Sequence, residues 1–323
     1  MEDKLHLAVL IPAFNEEATI QKVIRSIPEK LLGIEKISII VVNDGSTDNT
    51  EKLAKEAGAI VVTHKTNKRL GPTFRDGLEK AMELKADILV TIDADGQFDT
   101  NEIPKLIKPI IDNEADFVTG SRFEDHSTPP ENMPWIKRWG NHRVASIISW
   151  ATGKKFKDVT CGFRAYSKEA MLRLNLFGKF TYTQETFLDL AYKDLSIKEI
   201  PVTVKYFKDR KSKIASSLVN YGLNSANIIF RAIKDYKPLK FFGLTGIIIF
   251  LLGLGFDIFL LIHYSVNLTF SPFKSLGFLG AFLNAIGVLV FFIGILADLI
   301  DKIRQTQEKF LYLQKKDYYY DGK

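Results

Sequence analysis

Ile88-Leu89-Val90-Thr91-Ile92-Asp93-Ala94-Asp95-Gly96-Gln97 is the stretch on which the reading of this chain turns. Five apolar or β-branched residues in succession have the unbroken hydrophobicity of a strand buried on both faces, the habit of parallel sheets. Two aspartates one residue apart end it abruptly. Ligands of open α/β sheets bind in the crevice outside the carboxyl ends of the strands, which is where this pair would stand. Two hard oxygen donors there suit Mg²⁺ or Mn²⁺, ions that usually share their coordination with substrate phosphates. The plainer alternative is a polar turn in which Asp95 or Asp99 caps a helix beginning near Asn101.

Around this stretch the pattern repeats. Strand-like runs at 7–11, 37–42, 60–63, 88–92 and 117–119 alternate with helical segments that begin near Glu16, Thr47, Gly71 and Asn101. Such alternation predicts an α/β fold, a parallel sheet covered by helices on both faces. A polar stretch at 124–134 reads as a loop. The basic segment Lys137-Arg138-Trp139-Gly140-Asn141-His142-Arg143 leads into a helix ending near Gly153, and 197–207 reads as a further strand.

Two more polar loops fall on the same edge as Asp93 and Asp95. Pro12-Ala13-Phe14-Asn15-Glu16-Glu17 follows the first strand, and Asn43-Asp44-Gly45-Ser46-Thr47-Asp48 follows the second. Each has a local explanation, with Asp44 or Thr47 as a helix cap and Glu16 as a first-turn acid. Together, three acidic loops suit a nucleotide: carboxylates for the ribose and base edge, a metal for the pyrophosphate. No G-x-G-x-x-G fingerprint occupies the first turn, which disfavours a dehydrogenase, and no G-x-x-x-x-G-K-[ST] loop occurs, which disfavours a P-loop NTPase.

The 323 residues are 46% hydrophobic and 25% charged, with a net charge of +6. Where that charge lies matters more than its size, and its placement argues for a membrane surface, not nucleic acid. The single cysteine, Cys161, excludes an internal disulfide and reads as a small packing residue. No signal peptide is legible at the start, because the first apolar run stops at Pro12.

The last third differs in kind. Segments 241–263 and 277–300 are each long enough, as helices, to cross a hydrocarbon core of about 30 Å. Arg231, Lys234, Lys237 and Lys240 precede the first and Lys302, Arg304, Lys309, Lys315 and Lys316 follow the second, with only Lys274 between. The positive-inside rule then predicts a multi-pass protein of the cell membrane with both termini and the catalytic domain in the cytoplasm. The expected organisation is a catalytic domain at 1–214, an amphipathic interfacial helix at 215–240, the two spans, and a basic tail at 301–323. Asp257, costly in lipid, should face protein, water or headgroups, or serve as a contact in a homo-oligomer formed through the spans.

The motifs P-A-F-N-E-E, N-D-G-S-T-D, D-A-D-G-Q and G-S-R, in this order and spacing, resemble those of inverting family 2 glycosyltransferases of the GT-A fold. Joined to Thr160-Cys161-Gly162-Phe163-Arg164 and a C-terminal membrane hairpin, they are similar to the polyprenyl-phosphate glycosyltransferases. The resemblance covers roughly residues 5–214, and its motifs are specific jointly, not singly. It implies that Pro12, Ala13, Phe14, Glu16 and Asp44 line the nucleoside, and that Asp93, Asp95 and Gln97 hold Mg²⁺ or Mn²⁺. It places Arg122, Arg138 and Asn141 at the acceptor phosphate and Arg210 at the donor diphosphate, with Lys211 and Lys213 competing for that last role. Gln184 and Glu185, in Thr183-Gln184-Glu185-Thr186, would stand on the acceptor side, with Glu185 at a sugar hydroxyl or at a helix start.

The implied reaction moves a hexose from GDP-mannose or UDP-glucose to a polyprenyl (dolichyl) phosphate. A phosphate monoester has a second pKa near 6, so at neutral pH it is mostly dianionic and needs no strong base. That suits a chain whose His64, His126 and His142 have no carboxylate partner legible in the sequence. Arg122 and Arg164 also read plainly as surface arginines. Competing readings are a processive polysaccharide synthase, transfer to a non-lipid acceptor, and a membrane scaffold with a degenerate nucleotide fold. The first lacks a Q-x-x-R-W motif, and the last sits poorly with the intact Asp93–Asp95 pair.

Overall fold

The computed structural model of the chain describes residues 4–123, 133, 135–176, 182–205 and 238–322. They fall into two compact units, one formed by Met1–Ile229 with Leu311–Lys323 and the other by Phe230–Phe310.

The first unit is built on seven strands: β1 (Leu5–Ala13), β2 (Ile34–Asn43), β3 (Ile60–Thr63), β4 (Ile88–Thr91), β5 (Phe117–Ser121), β6 (Arg164–Ser167) and β7 (Ile197–Pro201). Their order is β3-β2-β1-β4-β6-β5-β7. β1 pairs in parallel with β2 and β4, β2 with β3, and β5 with β7. β6 runs antiparallel between β4 and β5. Its four residues are too short and too mixed to announce a strand in sequence, and its first, Arg164, is fully buried.

Among the described residues this unit also has helices α1 (Ile20–Ser26), α2 (Thr50–Glu56), α3 (Leu70–Glu83), α4 (Ile103–Ile111), α5 (Trp135–Thr152), α6 (Lys168–Arg173) and α7 (Thr183–Tyr192). The core lies where apolar faces of the sheet meet them, with Leu7, Val9, Ile11, Val41, Ile88 and Val90 against Ile20, Ile24, Ile103 and Leu106. Burial on both faces explains the unbroken apolar runs of β1 and β4.

The C-terminal segment Leu311–Lys323, part of the stretch expected as a basic tail at 301–323, groups with this unit. The Tyr312 hydroxyl donates to Glu169 at 2.8 Å, and Lys315 donates to the Leu174 carbonyl and the Asn175 amide oxygen, both at 2.9 Å. The Tyr320 hydroxyl donates to the Ala86 carbonyl at 2.7 Å while its ring lies 3.8 Å from the Lys168 ammonium. Lysine near a helix end satisfies orphan carbonyls, and tyrosine gives apolar area with a polar tip.

The second unit is a pair of apolar helices, α8 (Pro238–Asn267) and α9 (Lys274–Lys316), whose latter end passes into the first unit. Both are long and apolar enough to cross a membrane. Glycines spaced by seven, Gly246 and Gly253 on α8 and Gly280 and Gly287 on α9, form the seam between them. A β-carbon on Gly246 would come 2.7 Å from the Gly287 carbonyl, so the backbones touch. Leu251, Leu252, Leu289 and Leu296 point outward and are exposed. Asp257 faces the partner helix, accepting from the Asn284 amide at 2.5 Å.

Candidate active site

The parallel register fixes which loops meet. Ala13 stands opposite Asn43 and Leu10 opposite Thr91, so the loops after β1, β2 and β4 leave the sheet on one edge. The first two are stitched into one body. The backbone N–H groups of Asn15, Glu16 and Glu17 donate to Ser46, Thr50 and Asp48, and the Thr47 N–H returns to the Asn15 side chain at 2.8 Å. Pro12, Phe14 and Glu16 are half-buried on this edge and Ala13 is buried. Glu17 and Asp48 therefore hold the loops together.

Asp44 is a hub. Its carboxylate accepts from the Lys68 N–H at 2.8 Å, the Arg69 N–H at 2.9 Å and the His64 ring at 2.7 Å. Gly45 adopts φ of +71°, and a β-carbon there would come 2.6 Å from the Thr66 carbonyl carbon. Only glycine lets the 65–69 loop lie so close. His64 also meets Asp76 of α3, 2.7 Å from its second ring nitrogen. The sequence reading, which left His64 without a carboxylate partner, is corrected here: it has two. His142 is exposed on α5 against the Phe123 ring, and His126 lies outside the described residues.

Asp93 and Asp95 stand beyond β4. The Asp95 carboxylate accepts from the Gln97 N–H at 3.0 Å, closing a turn over Gly96. Asp93 packs against Gly162, delivered by the antiparallel β4–β6 pairing, and the Gly162 carbonyl is held by the Thr91 hydroxyl at 2.7 Å. Burial first, then the charge of Asp95 and more weakly that of Glu16, push Asp93 up to about 7 against the pull of Arg122 and Arg164. Two crowded carboxylates of this kind are relieved by a divalent cation. The donors are hard oxygens, and among the described residues no third His, Cys, Asp or Glu completes a cage. That arrangement fits an ion that takes its remaining ligands from a substrate.

Arg122, expected at an acceptor phosphate, directs its fork inward. Its Nε donates to Asp158 at 2.7 Å and its Nη2 to the other carboxylate oxygen at 2.9 Å and to Thr160 at 2.6 Å. Asp158 is fully buried; burial raises its pKa, but the Arg122 guanidinium and N–H donors outweigh that and hold it below the usual range. Arg164 is no surface arginine. It is fully buried and donates to the carbonyls of Cys161, Thr183 and Val159 at 2.7, 2.8 and 3.0 Å. It thus fixes the T-C-G-F-R segment and the start of α7 beneath the site. Cys161 is buried, its thiol pushed up to about 12 by burial, as a packing residue should be.

On α5, Arg138 is exposed and Asn141 buried, three residues apart. Gln184 is fully buried in α7, and Glu185 is half-buried in its first turn. Arg210, Lys211 and Lys213 lie outside the described residues. His64, Asp76, Asp158 and Gly162 were missed as partners, although His64 directly follows the strand at 60–63 and so stands on the ligand edge.

The sequence model of glycosyl transferase family 2 matches residues 8–174. The UDP-N-acetylglucosamine–dolichyl-phosphate N-acetylglucosaminyltransferase of Methanococcus voltae is 37% identical over 245 residues, covering 69% of this chain and 94% of that protein. The polyprenol monophosphomannose synthase of Mycolicibacterium smegmatis is 27% identical over 67% of this chain and 83% of its own. Glucosyl-3-phosphoglycerate synthase of Mycobacterium tuberculosis, crystallised with Mn²⁺, UDP-glucose and glycerol 3-phosphate, superposes with a TM-score of 0.54 at 22% identity, over 72% of this chain and 80% of that one. The sheet order and this superposition give the GT-A fold.

Proposed function

We propose, for a chain that belongs to glycosyl transferase family 2, that it transfers a sugar from a nucleotide diphosphate donor to a polyprenyl phosphate at a membrane surface, with inversion at the anomeric carbon. The observation that carries this reading is the convergence on one sheet edge of three acidic loops, with Asp93 and Asp95 among them and Gly162 packed against Asp93. The acceptor class draws support from the printed names of the two relatives, both polyprenyl-linked, and from the apolar pair α8 and α9.

In this reading Pro12, Ala13, Phe14, Glu16 and Asp44 take the nucleoside. Asp93 and Asp95, with Gln97, hold Mg²⁺ or Mn²⁺, which when bound neutralises charge on the departing diphosphate. The acceptor phosphate is already dianionic at neutral pH, so the chain's task is to position it in line. Arg138, exposed on α5, offers a planar fork for its oxygens, with Asn141 beside it and Glu185 near the sugar. Arg122 contributes differently: fixed by Asp158, it is a constant positive charge beside Asp93. Arg210 and Lys213 approach the donor diphosphate. The catalytic domain and both termini face the cytoplasm, where nucleotide sugars are made.

The candidate donor sugars are N-acetylglucosamine, for which the M. voltae relative is named, mannose, for which the M. smegmatis relative is named, and glucose. The test is a screen of UDP-N-acetylglucosamine, UDP-glucose and GDP-mannose against a polyprenyl phosphate, using the full chain in detergent with Mn²⁺ or Mg²⁺. One donor should give a lipid-linked sugar. Turnover that persists without the lipid would overturn the acceptor assignment.

A further inference from the structure

His64 is the one described side chain that joins the loop after β2 to the helix after β3. One ring nitrogen lies 2.7 Å from Asp44 and the other 2.7 Å from Asp76 on α3. The ring is buried, as is the Asp44 carboxylate. Each ring nitrogen thus has a carboxylate oxygen within hydrogen-bonding distance. Lys68 adds a cation 3.7 Å from Asp76.

The clamp has a second strand. Asp44 also accepts the N–H groups of Lys68 and Arg69, and Arg69 holds φ of +74°, a conformation costly for a residue with a β-carbon. The 65–69 loop lies in contact with Gly45 on the ligand edge. Asp44 thereby has three of its four acceptor positions filled, two on Oδ1 and one on Oδ2.

We infer that His64 is a positioning residue of the donor site: by tying Asp44 to Asp76 it holds the 65–69 loop as a wall of the nucleoside pocket and leaves Asp44 one acceptor position for a base or ribose donor. The inference rests on the donor-site reading above. It concerns nucleotide affinity, not the acceptor or the chemical step. Asp76 acts mainly through His64, its own contact with the loop being the longer one to Lys68 at 3.7 Å.

The experiment uses the full chain in detergent with Mn²⁺, titrated with UDP and with GDP by calorimetry, alongside the KM values for donor and lipid. His64→Ala should weaken binding of the preferred nucleotide by about tenfold or more, the range seen when a ligand's orienting partner is removed. Its lipid KM should stay within about twofold. His64→Asn, whose amide can still donate to Asp44, should recover most of the loss, and adding Asp76→Ala to His64→Ala should weaken binding no further. If His64→Ala does not fold, Asp76→Ala carries the same comparison, with a donor-selective loss, against His64→Asn as the near-wild-type reference. Equal losses for donor and lipid, or nucleotide binding unchanged in every folded variant, would overturn the inference. A wild-type chain that binds neither nucleotide would overturn the donor-site reading itself, and the inference with it.

Discussion

The α-carbon of Gly162 lies so close to the Asp93 carboxylate that a β-carbon built on it would stand 3.0 Å from both Oδ1 and Oδ2. Two residues sixty-nine positions apart in sequence are brought together there by the β4–β6 pairing. Gly162→Ala should therefore displace or reorient Asp93. The expected loss is about 10- to 100-fold in Mn²⁺ affinity, as for other changes just outside a metal's ligands. Metal titration of the folded variant checks it, and an unchanged affinity would separate Gly162 from the site.

The state of Asp93 gives a pH signature. Folded, it keeps its proton up to about 7, against an ordinary value of 3.8. The folded chain then binds more protons than the unfolded one across that window. The group's contribution to stability is full below the lower value and is lost as pH rises through the higher. Between those limits the metal-free wild type should lose thermal stability relative to Asp93→Asn, and saturating Mn²⁺ should cancel the difference. Metal affinity should climb over the same window, because the proton must leave before the ion binds. Melting curves of the two proteins at a series of pH values test this, and parallel curves would refute it.

Arg122 and Asp158 behave in the opposite sense. Asp158→Ala leaves a guanidinium buried without its bidentate partner, which costs about 3–5 kcal/mol. Since its folded pKa is lowered, the stability that Asp158 supplies is present above the ordinary carboxylate range and lost as pH falls through the folded value. Denaturant unfolding of the variant at neutral and acid pH should show a large deficit at the first and a smaller one at the second.

In the apolar pair, Gly287→Leu should separate α8 from α9. A β-carbon there would come 2.7 Å from the Phe250 nitrogen and 2.8 Å from the Gly246 carbonyl, both backbone atoms. Overpacking of this kind costs about 1–3 kcal/mol. Leu251→Ala, on the outward face and 57% exposed, is the control and should change little. Unfolding in mixed micelles with rising dodecyl sulfate distinguishes the two.

Much of this was legible from residues alone. The unbroken apolar runs of β1 and β4, ended by polar loops, pointed to the parallel edge because strands buried on both faces carry no polar side. The glycine and aspartate motifs placed Asp44, Asp93 and Asp95 there. What escaped depended on long-range pairing. Arg164 reads as a surface residue until β6 is known to run between β4 and β5, with its guanidinium capping three carbonyls. The pairing of Arg122 with Asp158, thirty-six residues on, carries no sequence signal either. His64 meets Asp44 and Asp76 only because the loop after β2 and α3, which packs on β1 and β2, come together beside it. The contacts of Tyr312, Lys315 and Tyr320 were not legible either, because these residues carry no periodic signal of the surface they meet.

The central claim is that Asp93 and Asp95 present a metal-bound nucleotide sugar to a lipid phosphate. Its most direct measurement is lipid-linked product formed by wild type and Asp95→Asn with Mn²⁺, with Mg²⁺ and with excess chelator. The account predicts product with one nucleotide sugar for the wild type only, none after chelation, and a variant that melts within about 2 °C of it. Undiminished transfer by Asp95→Asn, or by the wild type stripped of divalent ions, would contradict it.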